Sequence, residues 1–382
     1  MPQPSDLPST MRRRSLVLTA AGIGMGLPTG VVAAGSDLLL GRFAPPGGAR
    51  GPALRDFQAG IQLALDSANA RGGIGGRKLR WVPVDDQQPA QMLAIKAQRL
   101  ATEPGFVAWL GPIGPVQGPT LAQMPADTRA PAIGGLGIGD RQREQVRGWH
   151  FHVRASQARE AEALARHLAT VRLTRVAVVT PGDPAGATLA SLLGAALARE
   201  GIKTLAQAAV TPDPATVHEA TRKLMALDPQ ALVLALPAAQ SIQMMEMAAA
   251  LNRHPGFFSM SMGGEETLAA GALKLASGLA VAQVVPYPWS QTDPQILSYR
   301  RLCEPAQVRI GYASLEGFIT AQVLIEALRR CGRELGRSQL RAMLTVLQMN
   351  WGGMEIDFSR GEIGGSRFVE MVQVGPGGRY IR

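Results

Sequence analysis

Two hydrophobic rhythms alternate along the chain. Short apolar runs, beginning with DLLLGRF at Asp37–Phe43, are separated by segments in which apolar residues recur every three or four positions. The first such segment carries Leu54, Phe57, Ile61, Leu65 and Ala68. Continuous apolar runs indicate strands that are buried on both faces, and helical spacing indicates the helices that cover them. The pattern therefore predicts a parallel sheet with helices on both sides.

The same alternation starts again after residue 155. We expect Ser156 to cap a helix that carries Ala161, Leu164, Leu168 and Val171 on one side. Strands are predicted at RVAVVT, KTLAQAAV, ALVLAL and GFFSMS, and helices over residues 185–200, 214–227 and 238–252. GLAVAQVV then leads out of this repeat. Two successive repeats of this size predict an α/β protein with two lobes. The segments FHVRAS and QVVPYPWS lack helical periodicity, so we expect them to cross between the lobes.

The last part of the chain predicts a long helix at Tyr312–Cys331 and then short strands at GMEIDFS and RFVEMVQV. Near the start, NARGGIGGRKLRWVPVDDQQ places four glycines between a helix and a strand, which lets the second strand run parallel to the first. Asp85 and Asp86 then fall at the carboxyl end of that strand, where ligands bind in open α/β sheets. Neighbouring side chains on a strand point apart, so a hydrogen-bonding cap is favoured over acid–base catalysis.

The segment before Gly35 has the features of an export signal. Arginines at 12–14 precede a moderately apolar stretch from Leu16 to Val32, and Ala33 and Ala34 offer small residues for cleavage. RRSLVL resembles a twin-arginine signal, and an ordinary secretory signal is the alternative. We expect no lipid anchor, because no Cys lies near the cleavage site. The mature protein is expected to be soluble and exported.

Composition and charge narrow the classes of partner. The chain has 382 residues, 46% of them hydrophobic, and a net charge of +10, of which +8 remains once the three Arg and one Asp of residues 1–34 are removed. This length favours two lobes over one core. The arginines are scattered along predicted helices, which is typical of a solvated basic face. Binding of nucleic acid or of a membrane surface is therefore not expected.

Motifs for cofactors and catalysis are weak. GGLGIG at Gly134–Gly139 has the wrong position and spacing for a dinucleotide site, and a loop with close backbone approach is preferred. His150 and His152 are expected to point to one face of a strand, but a metal pair would need a third ligand. The sequence contains no Walker motif, no G-x-S-x-G and no H-E-x-x-H. We therefore expect no cofactor, no metal and no catalysis.

For several residues the sequence allows two different roles. Cys303 and Cys331 could form a disulfide in an oxidising compartment or remain buried thiols. Arg42, at the end of the first strand, could meet an anionic ligand or lie on the surface. Tyr287 and Trp289, at the second crossing, could stack on a ligand or pack in the hinge.

The segment GIQLALDSANARGGIGGRKLRWVPVDDQQ closely resembles the first helix and second strand of the leucine/isoleucine/valine-binding family. FHVRAS, AQVVPYPWS, YASLEGFITAQVLIEAL and GSRFVEM are similar to that family in the same order. The resemblance implies the type I periplasmic binding fold, in which two Rossmann-like lobes with parallel sheets are joined by a three-crossing hinge. It implies lobe 1 at residues 35–154 and 288–348, and lobe 2 at 155–287 and 349–382. It also implies a monomer that captures a small solute and passes it to an inner-membrane ABC permease.

The resemblance also places a pocket, in which several positions depart from the family pattern. Pro115 stands where a hydroxyl holds the ligand carboxylate, Ala185 where an aromatic residue covers the ligand, and Ser261 where an acid pairs with the ligand ammonium. Glu265 or Glu266 could supply that acid instead. The full set of expected ligand-binding residues is Pro115, Val116, Gln117, Leu136, Gly137, Ile138, Ala185, Pro237, Ala238, Ser261, Glu265 and Tyr287.

These departures favour a ligand without a buried ammonium group. A buried ammonium that lacks a carboxylate partner costs roughly several kcal/mol. We therefore expect an aromatic or short-chain carboxylate rather than a plain aliphatic amino acid. The alternatives are an amino-acid-binding protein of the same fold, a sensory ligand-binding domain and, more distantly, an α/β hydrolase.

Overall fold

The computed structural model describes residues 36–44, 51–85, 89–112, 118–262, 275–332 and 335–382. Gly35–Arg382 form one compact unit. The expected export signal lies outside the described residues, and so do Pro115, Val116, Gln117, Asp86, Glu265 and Glu266.

The first sheet has five parallel strands in the spatial order β2-β1-β3-β4-β5. The strands are β1 (Leu38–Ala44), β2 (Leu79–Asp85), β3 (Phe106–Leu110), β4 (Ala132–Ile133) and β5 (His150–Phe151). The register pairs Leu38 with Leu79 and Trp109 with Ala132. Every residue of β3 is buried, as expected for the central strand of a sheet covered on both faces.

The second sheet has seven strands in the order β14-β13-β10-β9-β8-β6-β7. Five of them are parallel: β6 (Val176–Pro181), β7 (Thr204–Val210), β8 (Ala231–Leu234), β9 (Gly256–Met260) and β10 (Ala280–Gln283). The chain returns at its end to add two antiparallel strands at one side of the sheet, β13 (Glu370–Val374) beside β10 and β14 (Tyr380–Ile381) at the edge. These two sheets confirm the predicted α/β fold with a parallel sheet in each lobe.

Helices cover both sheets. In chain order they are α1 (Pro52–Ala70), α2 (Ala90–Thr102), α3 (Gly118–Asp127), α4 (Asp140–Gln145), α5 (Gln157–Thr170), α6 (Pro184–Arg199), α7 (Pro214–Met225), α8 (Ala238–Ala250), α9 (Pro294–Ala306), α10 (Tyr312–Arg330) and α11 (Arg337–Val346). Ser156 caps α5 as predicted, accepting a hydrogen bond from the backbone N–H of Arg159. Val171 was wrongly assigned to the buried side of that helix; it follows the last helical turn and is 46% exposed.

The glycine corner between α1 and β2 forms as the sequence indicates. Gly72, Gly73, Gly75 and Gly76 all have positive φ, which only glycine adopts without strain. Asn69, just before the corner, exchanges side-chain hydrogen bonds with the backbone N–H and carbonyl of Leu79 at 2.8 and 2.9 Å. The corner thereby fixes where β2 begins beside β1.

The chain passes between the two sheets three times. Residues 152–156 lead from β5 to α5, residues 284–293 lead from β10 to α9, and residues 358–369 lead to β13. Before the third passage, β11 (Gln348–Trp351) and β12 (Met354–Asp357) form a separate two-stranded sheet. This hairpin belongs to neither large sheet, so it does not show where lobe 1 ends. The boundary proposed at residue 348 stays a prediction.

Two further sequence expectations concern cysteines and membrane contact. Cys303 and Cys331 are free thiols, the first fully buried and the second half-buried. Among the described residues, every helix is too short or too polar to span a bilayer.

Helices α1 and α10 pack with their backbones in close approach. A Cβ atom on Gly60 would overlap with the carbonyl of Ser314, and a Cβ atom on Gly317 would overlap with the carbonyl of Phe57. Both sites are lined by rigid backbone, so a larger residue cannot be accommodated by a side-chain rotation. This contact holds α10 against the first sheet and so fixes the position of Glu316, which lies on α10.

We predict that Gly60→Ala destabilises the protein. The added methyl group must push α10 away from α1, and overpacking of this kind costs roughly 1–3 kcal/mol. Urea unfolding measures the change in free energy. Gly194→Ala in α6 is the matched control, because a Cβ atom there meets only the flexible end of Gln207, and alanine is the better helix former. Equal stability of the two variants would contradict the packing described here.

Candidate functional site

The candidate site lies at the carboxyl ends of the parallel strands of both sheets. The described pocket residues follow β4 (Leu136, Gly137, Ile138), β6 (Ala185), β8 (Pro237, Ala238), β9 (Ser261) and β10 (Tyr287). Ligands in open parallel sheets bind at this edge. The described residues that were selected from the sequence therefore lie at the edges of both sheets where a ligand is expected.

The loop from Gly134 to Gly139, here called the cleft loop, follows β4 and contains three of the predicted pocket residues. Gly134 has a φ of +72°, and a Cβ atom there would overlap with the side chain of Thr320 on α10. The N–H of Leu136 donates to the carbonyl of Pro112 at the end of β3, at 3.2 Å. Leu136, Gly137 and Ile138 are half-buried. The close backbone approach expected for this loop is confirmed.

Arg143 on α4 connects the cleft loop to the first crossing. Its side chain is 3% exposed, and it donates from Nε to the carbonyl of Ile138 at 2.9 Å and from Nη1 to the carbonyl of Ala155 at 3.0 Å. Asp140, at the start of the same helix, accepts hydrogen bonds from the N–H groups of Gln157 and Ala158 at 2.9 Å each. The cleft loop is therefore tied to residue 155 and to the N-terminus of α5, which leads into the second sheet.

Arg154, in the first crossing, is the centre of a buried group that we call the hinge cluster: Arg154, Glu160, Ser261 and Glu316. Its Nη2 lies 3.2 Å from Glu160 Oε1 and donates to the hydroxyl of Ser261, and its Nη1 lies 3.4 Å from Glu316 Oε1. Glu160 belongs to α5 and Ser261 follows β9, whereas Glu316 belongs to α10, which packs against the first sheet. One guanidinium group thus bridges elements of both lobes.

The charges in this region compensate one another. Burial alone would lower the pKa of Arg154, but the nearby carboxylates of Glu316 and Glu160 outweigh it, and the pKa is raised. Burial raises the pKa of Glu316, although Arg154 opposes the shift. For Arg143, burial and the neighbouring Arg154 lower the pKa to about 10, so it remains a cation at neutral pH. The buried guanidinium of Arg154 and the carboxylates of Glu160 and Glu316 compensate one another, which requires that they stay together.

Ser261, which the resemblance aligns with an acidic position of the family, forms hydrogen bonds within the protein. Its N–H and its hydroxyl donate to Glu160 Oε2 at 2.9 and 2.7 Å. Ser261 is half-buried, and the next residue, Met262, lies 3.3 Å through its sulfur from Arg154 Nη1. Among the described residues, the acidic side chain that contacts Ser261 is Glu160, and it is already paired with Arg154.

The pocket residues of the second sheet begin helices. Ala185 is exposed in the first turn of α6, whose N-cap residue Asp183 accepts a hydrogen bond from Gly186 at 2.7 Å. Pro237 precedes α8 and is exposed, whereas Ala238 is buried. The N-terminus of α6 is thus occupied by a carboxylate, whereas α8 has no side-chain cap and its backbone N–H groups favour an anionic ligand.

Tyr287 and Trp289 belong to an aromatic cluster. The ring of Tyr287 lies edge-on to Trp289 at 5.3 Å, and Trp289 stacks on Tyr380 at 5.9 Å and meets Tyr312 edge-on at 5.6 Å. The hydroxyl of Tyr287 donates to the carbonyl of Tyr380 at 2.8 Å. The contacts that the structure describes here are those of hinge packing, and ligand contact by Tyr287 stays a prediction.

Arg42 lies at the end of β1 and is half-buried rather than on the open surface. Its guanidinium stacks over Trp81 at 4.6 Å from the ring centre, and its Nε is buried with no hydrogen-bond partner among the described residues. Burial lowers the pKa of Arg42. A role toward an anionic ligand stays a prediction.

The side chains of His150 and His152 point in the same direction, as the sequence predicts. Their rings stack with centres 3.8 Å apart, and His150 Nε2 donates to the carbonyl of Gly134 at 2.5 Å. In the part of the chain that the structure describes, no group of three or more His, Cys, Asp or Glu side chains could hold a metal ion. The two rings thus lie directly behind the cleft loop.

Comparison with known proteins decides the family. A sequence model described as periplasmic binding protein matches residues 40–379, which is most of the chain. The chain belongs to the periplasmic binding protein family. The resemblance recognised in the sequence is thereby confirmed at the level of the family, whose members are described as binding proteins.

Individual relatives of this periplasmic binding protein agree in fold. The crystal structure of a substrate-binding periplasmic protein from Ralstonia solanacearum is 27% identical, with a TM-score of 0.79, over 90% of this chain and 99% of that one. An extracellular ligand-binding receptor from Verminephrobacter eiseniae gives a TM-score of 0.80 at 22% identity, over 91% of this chain and 100% of the other.

A curated relative matches over a shorter region. A protein named amino acid binding protein from Pseudomonas aeruginosa is 32% identical over 100 residues. That region covers 26% of this chain and 26% of the relative, so the alignment spans about a quarter of each.

The residues of the hinge cluster other than Ser261 were not selected from the sequence. FHVRAS was recognised as a crossing, and it contains Arg154, but nothing in that segment identifies Glu160 or Glu316 as its partners. An arginine within the crossing segment is the one available signal. It indicates that a buried counter-charge is needed without showing where the counter-charge lies.

We predict that Arg154→Met strongly destabilises this periplasmic binding protein. The substitution keeps the length of the side chain but leaves Glu160 and Glu316 buried without their cation, and breaking a buried ion pair costs about 3–5 kcal/mol. Denaturant unfolding gives the change in free energy.

Lys223→Met is the control, because it removes an exposed ion pair with Glu219 at 2.5 Å, and such pairs contribute about 1 kcal/mol or less. A loss below about 1 kcal/mol in Arg154→Met would show that the hinge cluster does not stabilise the fold.

We also predict that acid destabilises the protein through His150. Burial lowers the pKa of His150 from its ordinary 6.5 to about 4. Between these values the unfolded chain binds a proton that the folded chain does not, so stability is complete above pH 6.5 and falls as the pH decreases toward 4. The contribution is roughly 1.4 kcal/mol for each pH unit.

Urea unfolding between pH 6.5 and 4.5, in a buffer of weakly binding ions, measures this slope. His150→Gln should have a smaller slope than the wild type. His218→Gln, which changes an exposed histidine on α7, should keep the wild-type slope. Identical slopes in the wild type and His150→Gln would exclude His150 as the source.

Proposed function

We propose that this chain is a periplasmic receptor that closes its two lobes on a small organic solute and delivers the solute, chemically unchanged, to an inner-membrane ABC permease. The observation that carries the proposal is the pair of parallel sheets, linked by three crossings, with the expected pocket residues at the carboxyl ends of both. Membership of the periplasmic binding protein family supports it. Action as a monomer and export by the twin-arginine route are part of the proposal.

The connections around the first crossing support a hinge mechanism. Arg143 holds the carbonyl of Ile138 and that of Ala155, so the cleft loop follows any rotation of the crossing. Arg154 holds carboxylates on α5 and α10, one from each lobe. A solute that touches both strand edges would favour the closed arrangement by the difference in its affinity for the two states.

The contacts of Ser261 favour a solute without an ammonium group. The hydroxyl and N–H of Ser261 are used by Glu160, and the charge of Glu160 is paired with Arg154. An ammonium group at this point would have to compete with a buried guanidinium for the carboxylate. The N-terminus of α8, after β8, has no side-chain cap and instead suits a carboxylate. We therefore infer an aromatic or short-chain carboxylate as the solute class.

An amino acid is the second candidate. The Pseudomonas aeruginosa relative is named an amino acid binding protein, and its similarity is confined to a quarter of each chain. Glu265, outside the described residues, would then supply the carboxylate for the ligand ammonium.

We predict that carboxylates, and not aliphatic amino acids, stabilise the protein. A thermal-shift panel compares benzoate, phenylacetate, propionate and butyrate with leucine, valine and phenylalanine. A ligand at one hundred times its Kd stabilises the folded state by about 2.7 kcal/mol. Calorimetry then measures the Kd of each stabilising compound. Small-angle scattering tests whether the protein becomes more compact when the compound binds. Mass spectrometry tests whether the bound compound is recovered unchanged.

The matched variants are Ile138→Glu in the cleft loop and Val346→Glu at the end of α11, where the side chain is 61% exposed. Ile138→Glu should weaken binding of a carboxylate at least tenfold by repulsion, while Val346→Glu should bind as the wild type does. Stabilisation by leucine or valine alone would reject the carboxylate hypothesis in favour of the amino acid. Turnover of a bound compound would reject the receptor function.

A further inference from the structure

Arg42 lies at the point of the first sheet where a ligand is expected. In the strand order β2-β1-β3-β4-β5, the chain runs from β1 to β2 on one side and then crosses to β3 on the other, so the order reverses at β1. Ligands in open parallel sheets bind outside the carboxyl ends of the strands at such a reversal. Arg42 stands shortly before the end of β1 at Ala44 and pairs with Pro83 of β2. Its side chain therefore starts close to the edge where the solute is expected.

Trp81 on β2 supports the guanidinium of Arg42. Its indole Nε1 donates to the carbonyl of Leu110, the last residue of β3, at 3.3 Å, so the ring reaches across β1 from one neighbouring strand to the other. The guanidinium carbon of Arg42 lies 4.6 Å from the centre of the ring. A guanidinium that stacks on an aromatic face can still form hydrogen bonds in its own plane. Trp81 thereby holds Arg42 beside the carboxyl end of β3.

The guanidinium of Arg42 has no counter-charge among the residues that the structure describes. Its Nε is buried without a hydrogen-bond acceptor, and its two terminal nitrogens, which keep contact with solvent, form no hydrogen bond or ion pair there. Burial lowers the pKa of Arg42, and no described carboxylate opposes the shift. Arg154 is different, because Glu316 and Glu160 compensate its burial. A partly desolvated cation without such compensation is stabilised by an anion that reaches its terminal nitrogens.

We propose that Arg42, held on the ring of Trp81, binds the carboxylate of the transported solute. This inference rests on the receptor function proposed above and names the residue of the first sheet that recognises the solute. The two terminal nitrogens of a guanidinium match the two oxygens of a carboxylate, and the charges strengthen both hydrogen bonds. The contact needs a carboxylate alone. Arg42 would therefore hold a simple carboxylate and an amino acid alike, and would select both against neutral analogues.

Calorimetry on the full mature chain compares carboxylates with their primary amides, which keep the shape of the compound and remove the negative charge. The pairs are benzoate with benzamide, butyrate with butyramide, and leucine with leucinamide. Arg42→Gln should raise the Kd of the carboxylate at least about tenfold, because hydrogen bonds between charged groups are lost, and should leave the Kd of the amide unchanged. Arg80→Gln is the matched control, since Arg80 lies at the start of β2 and its side chain is 66% exposed beside Asp37. It should bind every compound as the wild type does.

A rise in the Kd of carboxylate and amide alike in Arg42→Gln would indicate a structural role for this residue and would overturn the proposal. So would an unchanged Kd for the carboxylate, or a wild type that binds none of these carboxylates. If Arg42→Gln does not fold, crystals of the wild type grown with benzoate, butyrate or leucine provide the test. A carboxylate within hydrogen-bonding distance of the terminal nitrogens of Arg42 would support the contact, and a carboxylate bound elsewhere would refute it.

These outcomes are separate from those that test the receptor function. Tighter binding of leucine than of benzoate would change the solute class but would keep Arg42 as the partner of the carboxylate. Turnover of a bound compound would reject the receptor function whether or not Arg42 touches the carboxylate.

Discussion

The guanidinium of Arg154 is a full charge in a region that water does not reach, and much of the architecture follows from keeping it neutralised. Glu160 on α5, Ser261 after β9 and Glu316 on α10 all contact it. An uncompensated buried charge costs at least several kcal/mol, so these elements must remain within reach of one side chain. Since α10 packs on the first sheet and the other two belong to the second, Arg154 fixes how the lobes meet at the first crossing.

A second buried arginine extends this constraint to the candidate binding site. Arg143 holds the cleft loop through Ile138 and the crossing through Ala155, while Asp140 caps the N-terminus of α5. The cleft loop, the crossing and the first helix of the second lobe are thus one hydrogen-bonded unit. Such a unit can rotate as a rigid body while its contacts persist, which is the behaviour that hinge closure requires.

Most elements could be predicted because their apolar residues follow a single period. Strands such as β3, buried along their whole length, and helices such as α1 and α10, with many buried apolar positions, are visible in the pattern. The elements missed include α11, in which Leu340 and Leu344 are the buried residues, and α4, a helix of 6 residues. Their helical form depends on what they pack against, such as Arg337 of α11 donating to the carbonyls of Phe106 and Thr128.

The sequence alone determined the order of most strands and helices, the position of the glycine corner, and the shared face of His150 and His152, because each depends on residues a few positions apart. Only the tertiary structure decided the environment of the charged residues. Ser261 is 107 positions from Arg154 along the chain, and Glu316 approaches from a helix still further on. A local pattern shows that a buried arginine needs a carboxylate, but burial and charge pairing at such separations are set by the packing of the whole chain.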